Sequence, residues 1–249
     1  MKTYFKKLFL FLCFVIPAYI LLIIIWANIP YSYIGSNFLY RQGSYGHLNT
    51  RLKEIPDYGE VDILFVGSSR VYRGFDPRIF EENGYKVFVL GSSSQTPMQS
   101  YVLLKRYLKS LNPDLVVFDV LPSSFAIKGV EPSLDVLAND RIDNLSWEMA
   151  WEQNDLLVWN TLIYASISQL FGFHNDFKEL KYKPRDKDTY ISGGYVMKKS
   201  NFQKEFDTLS KKEWFSPKPL QKEYFKKSLE LCFNNNSEIV LVNLPLANY

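Results

Sequence analysis

The chain has 249 residues, of which 47% are hydrophobic and 22% are charged, so wholesale disorder is excluded. This length suits one domain, or one domain with a large insertion. The formal net charge of +3 is too small to indicate a nucleic-acid partner. Cys13 lies in the apolar N-terminal stretch and Cys232 near the other end. We therefore expect no internal disulfide in the soluble part, no metal site built on cysteines, and no cofactor.

The N-terminus predicts a membrane anchor. Leu8–Ala27 is an apolar run without a charged residue, and about 20 such residues match the roughly 30 Å hydrocarbon core of a bilayer. Lysines occur among residues 1–7, whereas the next charge after the run is Arg41. This bias predicts a cytoplasmic tail at 1–7, a transmembrane signal anchor at 8–27, and a main domain that is periplasmic or extracellular. A cleaved signal peptide is the alternative, but Trp26–Pro30 offers no good cleavage site.

Residues 28–60 form a polar, aromatic connector that we expect to pack loosely on the body. After it, apolar runs predict buried strands, and helix-start signals such as Asp76-Pro77 and Thr96-Pro97 predict the helices between them. The predicted strands are Val61–Val66, Lys86–Leu90, Asp114–Val120 and Glu238–Leu244. The predicted helices run from Asp76 to about Gly84, from Thr96 to Pro113, and from Leu220 to Phe233.

Continuous apolar strands that alternate with amphipathic helices predict an α/β fold, with a parallel sheet and helices on both faces. In such sheets the ligand crevice lies beyond the carboxyl ends of the strands. Small polar turns follow three of the predicted strands here, and we expect them to converge on one edge. These turns are Gly67-Ser68-Ser69-Arg70, Gly91-Ser92-Ser93 and Leu121-Pro122-Ser123-Ser124.

Residues 121–217 interrupt the alternation, and we interpret them as an insertion or cap over the crevice. A helical stretch is predicted from about Asn144 to Phe171, with Trp147, Trp151 and Trp159 at helical spacing. That spacing favours core packing over a sugar-binding platform. The Gly193-Gly194 pair lies in the polar part of the same insertion.

The segment Ile63–Arg70, followed by Phe75-Asp76-Pro77, Val89–Ser93 and Pro113–Asp119, resembles the SGNH/GDSL hydrolase superfamily. More narrowly, it is similar to membrane-anchored members of the cell envelope, the DltD-like and alginate-acetylation-like proteins. The resemblance covers residues 61–120 well and 218–244 weakly. It implies a three-layer flavodoxin-like domain at 61–249, C-terminally incomplete relative to the family.

The resemblance also implies roles for individual residues. Ser69 takes the position of the nucleophilic serine, and Gly91 that of the second-block glycine, where a missing side chain lets a substrate oxygen approach the main chain. The Ser69 and Gly91 amides would form the oxyanion hole. The family's third block has an asparagine after the third strand, whereas this chain offers Ser123. Arg70 and Arg73 are candidates to hold an anionic polymer, although solvated ion pairing is the more common role of such arginines.

The family's Asp-x-x-His, which supplies the general base, has no counterpart in this chain, and His47 and His174 match it neither in order nor in spacing. A serine hydroxyl is a poor nucleophile without a base. Two explanations remain open: the sequence belongs to a longer protein, or the protein is a degenerate member that binds without cleaving. We therefore expect these residues, tested alone, to be inactive.

The resemblance thus implies an esterase or O-acyltransferase that acts on a cell-envelope glycan or similar polymer. The alternative is a non-catalytic envelope protein that binds the polymer or a membrane-bound acyltransferase. A nucleotide- or phosphate-binding domain is disfavoured because the chain has neither a Gly-x-Gly-x-x-Gly nor a Gly-Lys-Ser/Thr motif. The expected partners are the lipid bilayer and an envelope polysaccharide, with no nucleic acid.

Overall fold

A computed structural model of the chain describes residues 1–29, 41–172, 177–183, 187–198 and 216–244. Its centre is a parallel four-stranded sheet in the order β2-β1-β3-β7, and this confirms the parallel sheet predicted from the apolar runs. The strands are β1 (Ile63–Gly67), β2 (Val87–Gly91), β3 (Leu115–Asp119) and β7 (Glu238–Val242).

One face of the sheet is covered by long helices. Leu64, Leu90 and Val116 point into this core and are fully buried. Because strands alternate their side chains, residues at every second position share this face. The helices that contribute to it are α2 (Leu48–Tyr58), α5 (Pro97–Leu111), α7 (Val130–Asn139), α8 (Asn144–Gln153), α9 (Leu156–Leu170) and α10 (Pro219–Asn234).

The opposite face is covered differently from the prediction. Phe65, Val89 and Val117 pack here against two short helices, α3 (Ser69–Gly74) and α4 (Pro77–Glu81). The rest of the cover is an antiparallel sheet from the insertion, made of β4 (Tyr182–Lys183), β5 (Asp188–Ile191) and β6 (Tyr195–Lys198). Asp76 caps α4 as predicted, since its carboxylate accepts the Arg78 amide at 3.1 Å.

The free edge of β2 is closed by groups that do not come from a strand of its own sheet. The Tyr58 hydroxyl donates to the Val87 carbonyl at 2.9 Å, and the Val89 amide donates to the Gly193 carbonyl at 2.8 Å. Gly194 lies so close that a β-carbon there would be 2.4 Å from the Val89 oxygen. The described residues 187–198 of the insertion therefore lie against this edge and against α3.

The connector also differs from the prediction, because its second half belongs to the core. Leu48, Leu52 and Ile55 of α2 are buried in the main hydrophobic cluster, and Arg51 between them is completely buried. Residues 30–40 lie outside the described part of the chain. The part that is described packs tightly rather than loosely.

The helical stretch predicted at 144–171 is two helices, α8 and α9, separated at Asn154, which adopts a left-handed conformation (φ 41°). The prediction that its tryptophans are core residues is wrong for two of the three. Trp147 is 49% exposed and Trp151 is 75% exposed, while Trp159 is partly buried between them.

The N-terminal helix α1 (Lys2–Asn28) is long and apolar enough to cross a membrane. Most of its surface is exposed in the isolated chain, and it contacts the body along α9. One long apolar helix near the N-terminus is consistent with the predicted single-pass anchor.

Candidate functional site

The predicted site lies where the parallel strands end, and the ends of β1 and β2 meet there. Gly67 of β1 and Gly91 of β2 are the last paired residues of these two strands. A β-carbon on Gly91 would lie 2.8 Å from the Gly67 carbonyl oxygen and 3.2 Å from that of Ser68. Because Ser68 is bonded to Ser69, the turn that carries the predicted nucleophile and the second-block glycine share one rim.

This contact gives a different reason for glycine at position 91. The space of its missing side chain is filled by the β1 exit turn, whereas the sequence led us to expect a gap for a substrate oxygen. The Gly91 carbonyl is also engaged, because it accepts a hydrogen bond from Arg51 at 2.7 Å. An oxyanion role for the Gly91 amide stays a prediction.

Ser69 begins α3 and is half-buried. Ser68 before it is buried and lies in extended backbone (φ −85°, ψ −162°), and its carbonyl accepts the Val71 amide at 2.9 Å. The strand therefore turns into a helix within two residues. A side chain at the first helical position is held at the surface end of the helix, which is compatible with access to a substrate.

Arg70 and Asp119 form a polar pair at the same end of the sheet. An Arg70 Nη2 lies 3.5 Å from Asp119 Oδ1 and 3.4 Å from Asn243 Oδ1. Asp119 Oδ1 also accepts the Leu244 amide at 3.3 Å. Burial of its side chain raises the pKa of Asp119. The pair joins the exits of β1, β3 and β7.

This pair has hydrogen-bonding capacity that the described residues leave unused. Arg70 Nε and Nη1, together with Asp119 Oδ2, are buried and have no hydrogen-bond partner. Buried polar atoms are nearly always satisfied in folded proteins. The described residues therefore leave two donors of Arg70 and one acceptor of Asp119 unpaired at this end of the sheet.

Arg73 is held in a different way. Its two terminal nitrogens each donate to Asp188 at 2.8 Å, which is a two-pronged ion pair between α3 and β5. The hydrogen bonds that Arg73 donates to Asp188 raise the pKa of Arg73. The structure thus engages Arg73 in joining the insertion to the core, and a role in holding a polymer stays a prediction.

Ser123 lies in α6 (Pro122–Ala126), directly after β3, and is half-buried. Its neighbour Ser124 is buried and donates to the Leu121 carbonyl at 2.7 Å. The turn after β3 is thereby fixed at the same end of the sheet as Ser69 and Gly91. Whether Ser123 replaces the family's asparagine stays a prediction.

Arg51 is the residue behind the rim that sequence reasoning missed. Its guanidinium donates to the carbonyls of Gly194 at 2.8 Å, Gly91 at 2.7 Å and Gly46 at 2.9 Å. It also lies 4.6 Å from the ring centre of Tyr72. Burial lowers the pKa of Arg51. Nothing in a polar stretch such as residues 49–54 distinguishes this arginine from a solvated one.

Asp135 is a second buried ionisable group behind the rim. Its Oδ2 accepts the Ser93 amide at 3.1 Å, and its Oδ1 accepts Asn139 Nδ2 at 2.9 Å. Complete burial raises the pKa of Asp135 to about 7. The Ser93 hydroxyl lies 3.4 Å from that of Tyr72, so the turn after β2 is held from both sides.

His47 does not take the position of a general base at the rim. His47 is completely buried, with Nδ1 3.7 Å from Glu179 Oε1 and its ring 5.7 Å from that of Tyr190. Burial lowers the pKa of His47 to about 4, so the imidazole is neutral at neutral pH. His174 lies outside the described residues.

A separate cleft of about 620 Å³ opens beside this histidine. Thr50, Glu54 and Tyr190 are among the residues that line it, and the predicted site residues are not. The described residues contain no group of three histidines, cysteines or acids that could hold a metal ion. The cleft therefore lies apart from the predicted site residues.

No protein-family model matches this chain, and no curated protein matches it either.

Proposed function

We propose that the protein is a membrane-anchored esterase or O-acyltransferase of the SGNH type, acting on a cell-envelope glycan or similar polymer. The observation that carries the proposal is the shared rim of Ser69 and Gly91 at the carboxyl ends of β1 and β2. The strand order β2-β1-β3-β7 supports a flavodoxin-like core of that type.

The proposed reaction begins with attack of Ser69 Oγ on the carbonyl carbon of an ester. The serine proton passes to a general base, and the oxyanion that forms is stabilised by backbone amides of the rim. Collapse of this intermediate releases the alcohol, which takes up the proton, and leaves an acyl-serine. Water or a sugar hydroxyl then attacks the acyl-serine, its proton passes through the base to Ser69 Oγ, and the acyl group leaves as a carboxylic acid or a new ester. Because His47 is buried, this scheme draws its base from elsewhere.

The apolar helix α1 supports a location of this chemistry at the outer surface of the membrane. We propose that it spans the membrane once, with residues 1–7 in the cytoplasm and the α/β domain outside. In this arrangement the domain stays close to polymers assembled at the outer face of the membrane.

The test is active-site labelling of the full chain in lipid nanodiscs with a fluorophosphonate probe. His47, the histidine that the structure describes, is buried, so the reaction is run with and without added imidazole, which supplies a base from solution. We expect imidazole to raise the labelling rate, and peptide mapping to place the adduct on Ser69. Ser69→Ala removes the labelling, while the control Ser110→Ala, at an exposed serine near the end of α5, keeps it.

An adduct on another serine, or labelling that survives Ser69→Ala, would contradict the assignment of the nucleophile. A chain that resists labelling even at high imidazole concentration would contradict the catalytic proposal and favour the second candidate below.

The second candidate is a non-catalytic protein that binds an anionic polymer, and the unsatisfied nitrogens of Arg70 favour it. The probe is alginate, with binding measured by calorimetry. This candidate predicts that Arg70→Gln weakens binding and that Ser69→Ala does not. Arg78→Gln serves as the control, because Arg78 is an exposed arginine paired with Asp76.

A further inference from the structure

The apolar helix α9 lies beside the anchor helix, and this contact fixes where α9 sits. The Tyr19 hydroxyl of α1 donates to Asn160 Oδ1 of α9 at 2.5 Å. Ile23, one turn further along α1, is only 1% exposed in a chain whose other anchor residues are mostly exposed. The two helices therefore touch within the apolar run.

The position of Tyr19 sets a depth for this contact. Tyr19 precedes Ala27, the end of the apolar run, by about two helical turns, which is about 12 Å along the helix axis. The half-thickness of the hydrocarbon core is about 15 Å. An anchor that spans the membrane with its apolar run therefore carries Asn160 into the outer half of the bilayer.

The composition of α9 suits that position. Leu156–Leu170 contains no charged residue, and the helix is too short to span a membrane by itself. Apolar helices of such length are found at membrane interfaces as well as in protein cores. Leu156 is 65% exposed and Leu170 is 80% exposed, so α9 is not a core helix along its whole surface.

The polar side chains of α9 are mostly satisfied without water. Thr161 and Ser166 donate back to the carbonyls one turn earlier, at 2.8 Å and 2.7 Å. Gln169 accepts the Ile142 amide at 2.9 Å and donates to the Asp140 carbonyl at 2.8 Å. Asn160 Nδ2, buried in the contact with α1, is a donor without an acceptor among the described residues. The hydrogen bonds of Thr161, Ser166 and Gln169 satisfy these side chains without water, as a lipid environment requires.

Exposed tryptophans adjoin α9 on the neighbouring helix α8. Trp147 and Trp151 gather around Trp159 of α9, with ring centres 6.2 Å and 6.3 Å from it. Indole rings combine a large apolar surface with one polar N–H group, so the cluster extends the apolar surface beside α9.

We propose that α9 is embedded in the outer leaflet alongside α1. The occupant of this surface is lipid. The domain is then held on the membrane by two apolar elements, and its orientation relative to the bilayer is fixed. This proposal depends on α1 as a membrane anchor and not on the catalytic role of Ser69.

The experiment uses the full chain in phospholipid vesicles, with a bimane label on single cysteines. Native Cys13 in α1 reports on the anchor itself, because it is exposed in that helix. In a Cys13→Ala background, Leu156→Cys and Leu170→Cys report on α9. Ile79→Cys is the matched control, since Ile79 is 59% exposed on the opposite side of the sheet. Cys232 is buried and stays in place.

Brominated lipid quenches labels in the membrane, and iodide quenches labels in water. We expect brominated lipid to remove about half or more of the fluorescence at positions 13, 156 and 170, and less than about a tenth at position 79. Iodide is expected to give the reverse order.

Each contrary outcome has its own meaning. Quenching by lipid at position 13 but not at 156 and 170 overturns the placement of α9. Absence of lipid quenching at position 13 overturns the anchor and this proposal with it. Labels at 156 and 170 that are protected from both quenchers indicate a protein occupant, and also overturn it.

Discussion

Gly91 faces the Gly67 carbonyl oxygen across the ends of two neighbouring strands, with room for a hydrogen atom but not for a methyl group. A β-carbon at position 91 would lie 2.8 Å from that oxygen, which is closer than packed atoms tolerate. The turn that carries Ser69 is therefore positioned by main-chain contact with β2.

Gly91→Ala is expected to destabilise the fold by about 1–3 kcal/mol, because the added methyl group must displace the β1 exit turn. Gly74→Ala is the control, since a β-carbon there would meet only Leu244 at 3.9 Å. Urea unfolding of both variants in detergent micelles measures the difference. Equal midpoints for the two variants would contradict the proposed contact.

Gly194→Ala is expected to separate the insertion from the β2 edge. Its β-carbon would lie 2.4 Å from the Val89 oxygen, in a backbone conformation (φ +90°) that already disfavours alanine. Gly172→Ala shares the positive φ (+79°) but has nothing within 4 Å. We expect Gly194→Ala to lose about 2 kcal/mol more than Gly172→Ala in thermal unfolding. A loss of the same size in both variants would mean that backbone strain alone is responsible.

Arg51→Lys is expected to cost about 2 kcal/mol or more, because a single ammonium group cannot reach three diverging carbonyl oxygens. The carbonyls of Gly46, Gly91 and Gly194 would then compete for one donor. Arg78→Lys, at an exposed ion pair with Asp76, should leave the unfolding midpoint almost unchanged. If Arg51→Lys behaves like the control, Arg51 does not organise the rim.

Two buried groups give the stability of the fold opposite dependences on pH. Burial raises the pKa of Asp135 to about 7. Between about pH 4 and pH 7, Asp135 is therefore protonated in the folded protein but ionised in the unfolded chain. Its contribution therefore falls as pH rises from about 4 to about 7. Burial lowers the pKa of His47 to about 4. Between about pH 4 and pH 6.5, His47 is therefore neutral in the folded protein but protonated in the unfolded chain. Its contribution rises from about pH 4 to about pH 6.5.

When one of the two groups is substituted, the pH dependence of the free energy of unfolding is expected to show the contribution of the group that remains. In Asp135→Asn the free energy of unfolding should rise with pH across this window, and in His47→Asn it should fall. Asparagine tolerates the left-handed backbone of position 47 (φ 55°). Urea unfolding at several pH values measures both slopes. Parallel profiles for the two variants would contradict the assignment.

The strands β1 and β2 were accessible from the sequence because they are buried on both faces. Ile63–Gly67 and Val87–Gly91 are continuous apolar segments that end at glycines, and no polar residue obscures them. The meeting of Ser69 and Gly91 at one edge followed from the rule that parallel strands end together.

The helix α2 was missed although a signal was present. Leu48, Leu52 and Ile55 recur at helical spacing, but the polar residues between them suggested a solvated connector. The hairpin around Gly193-Gly194 was likewise readable as a two-glycine turn between short strands. No sequence pattern predicts the hydrogen bond from Arg51 to the Gly91 carbonyl, because it joins a helix to a strand end that lies far along the chain.

The contact of Gly193 with Val89 has a consequence for how the molecule opens. The insertion is bonded to the β2 backbone, and Asp188 within it is paired with Arg73 of α3. Local fluctuations that release the hairpin must expose the sheet at the same time. Slow hydrogen exchange at the Val89 amide should therefore report on the hairpin and the sheet as one cooperative unit.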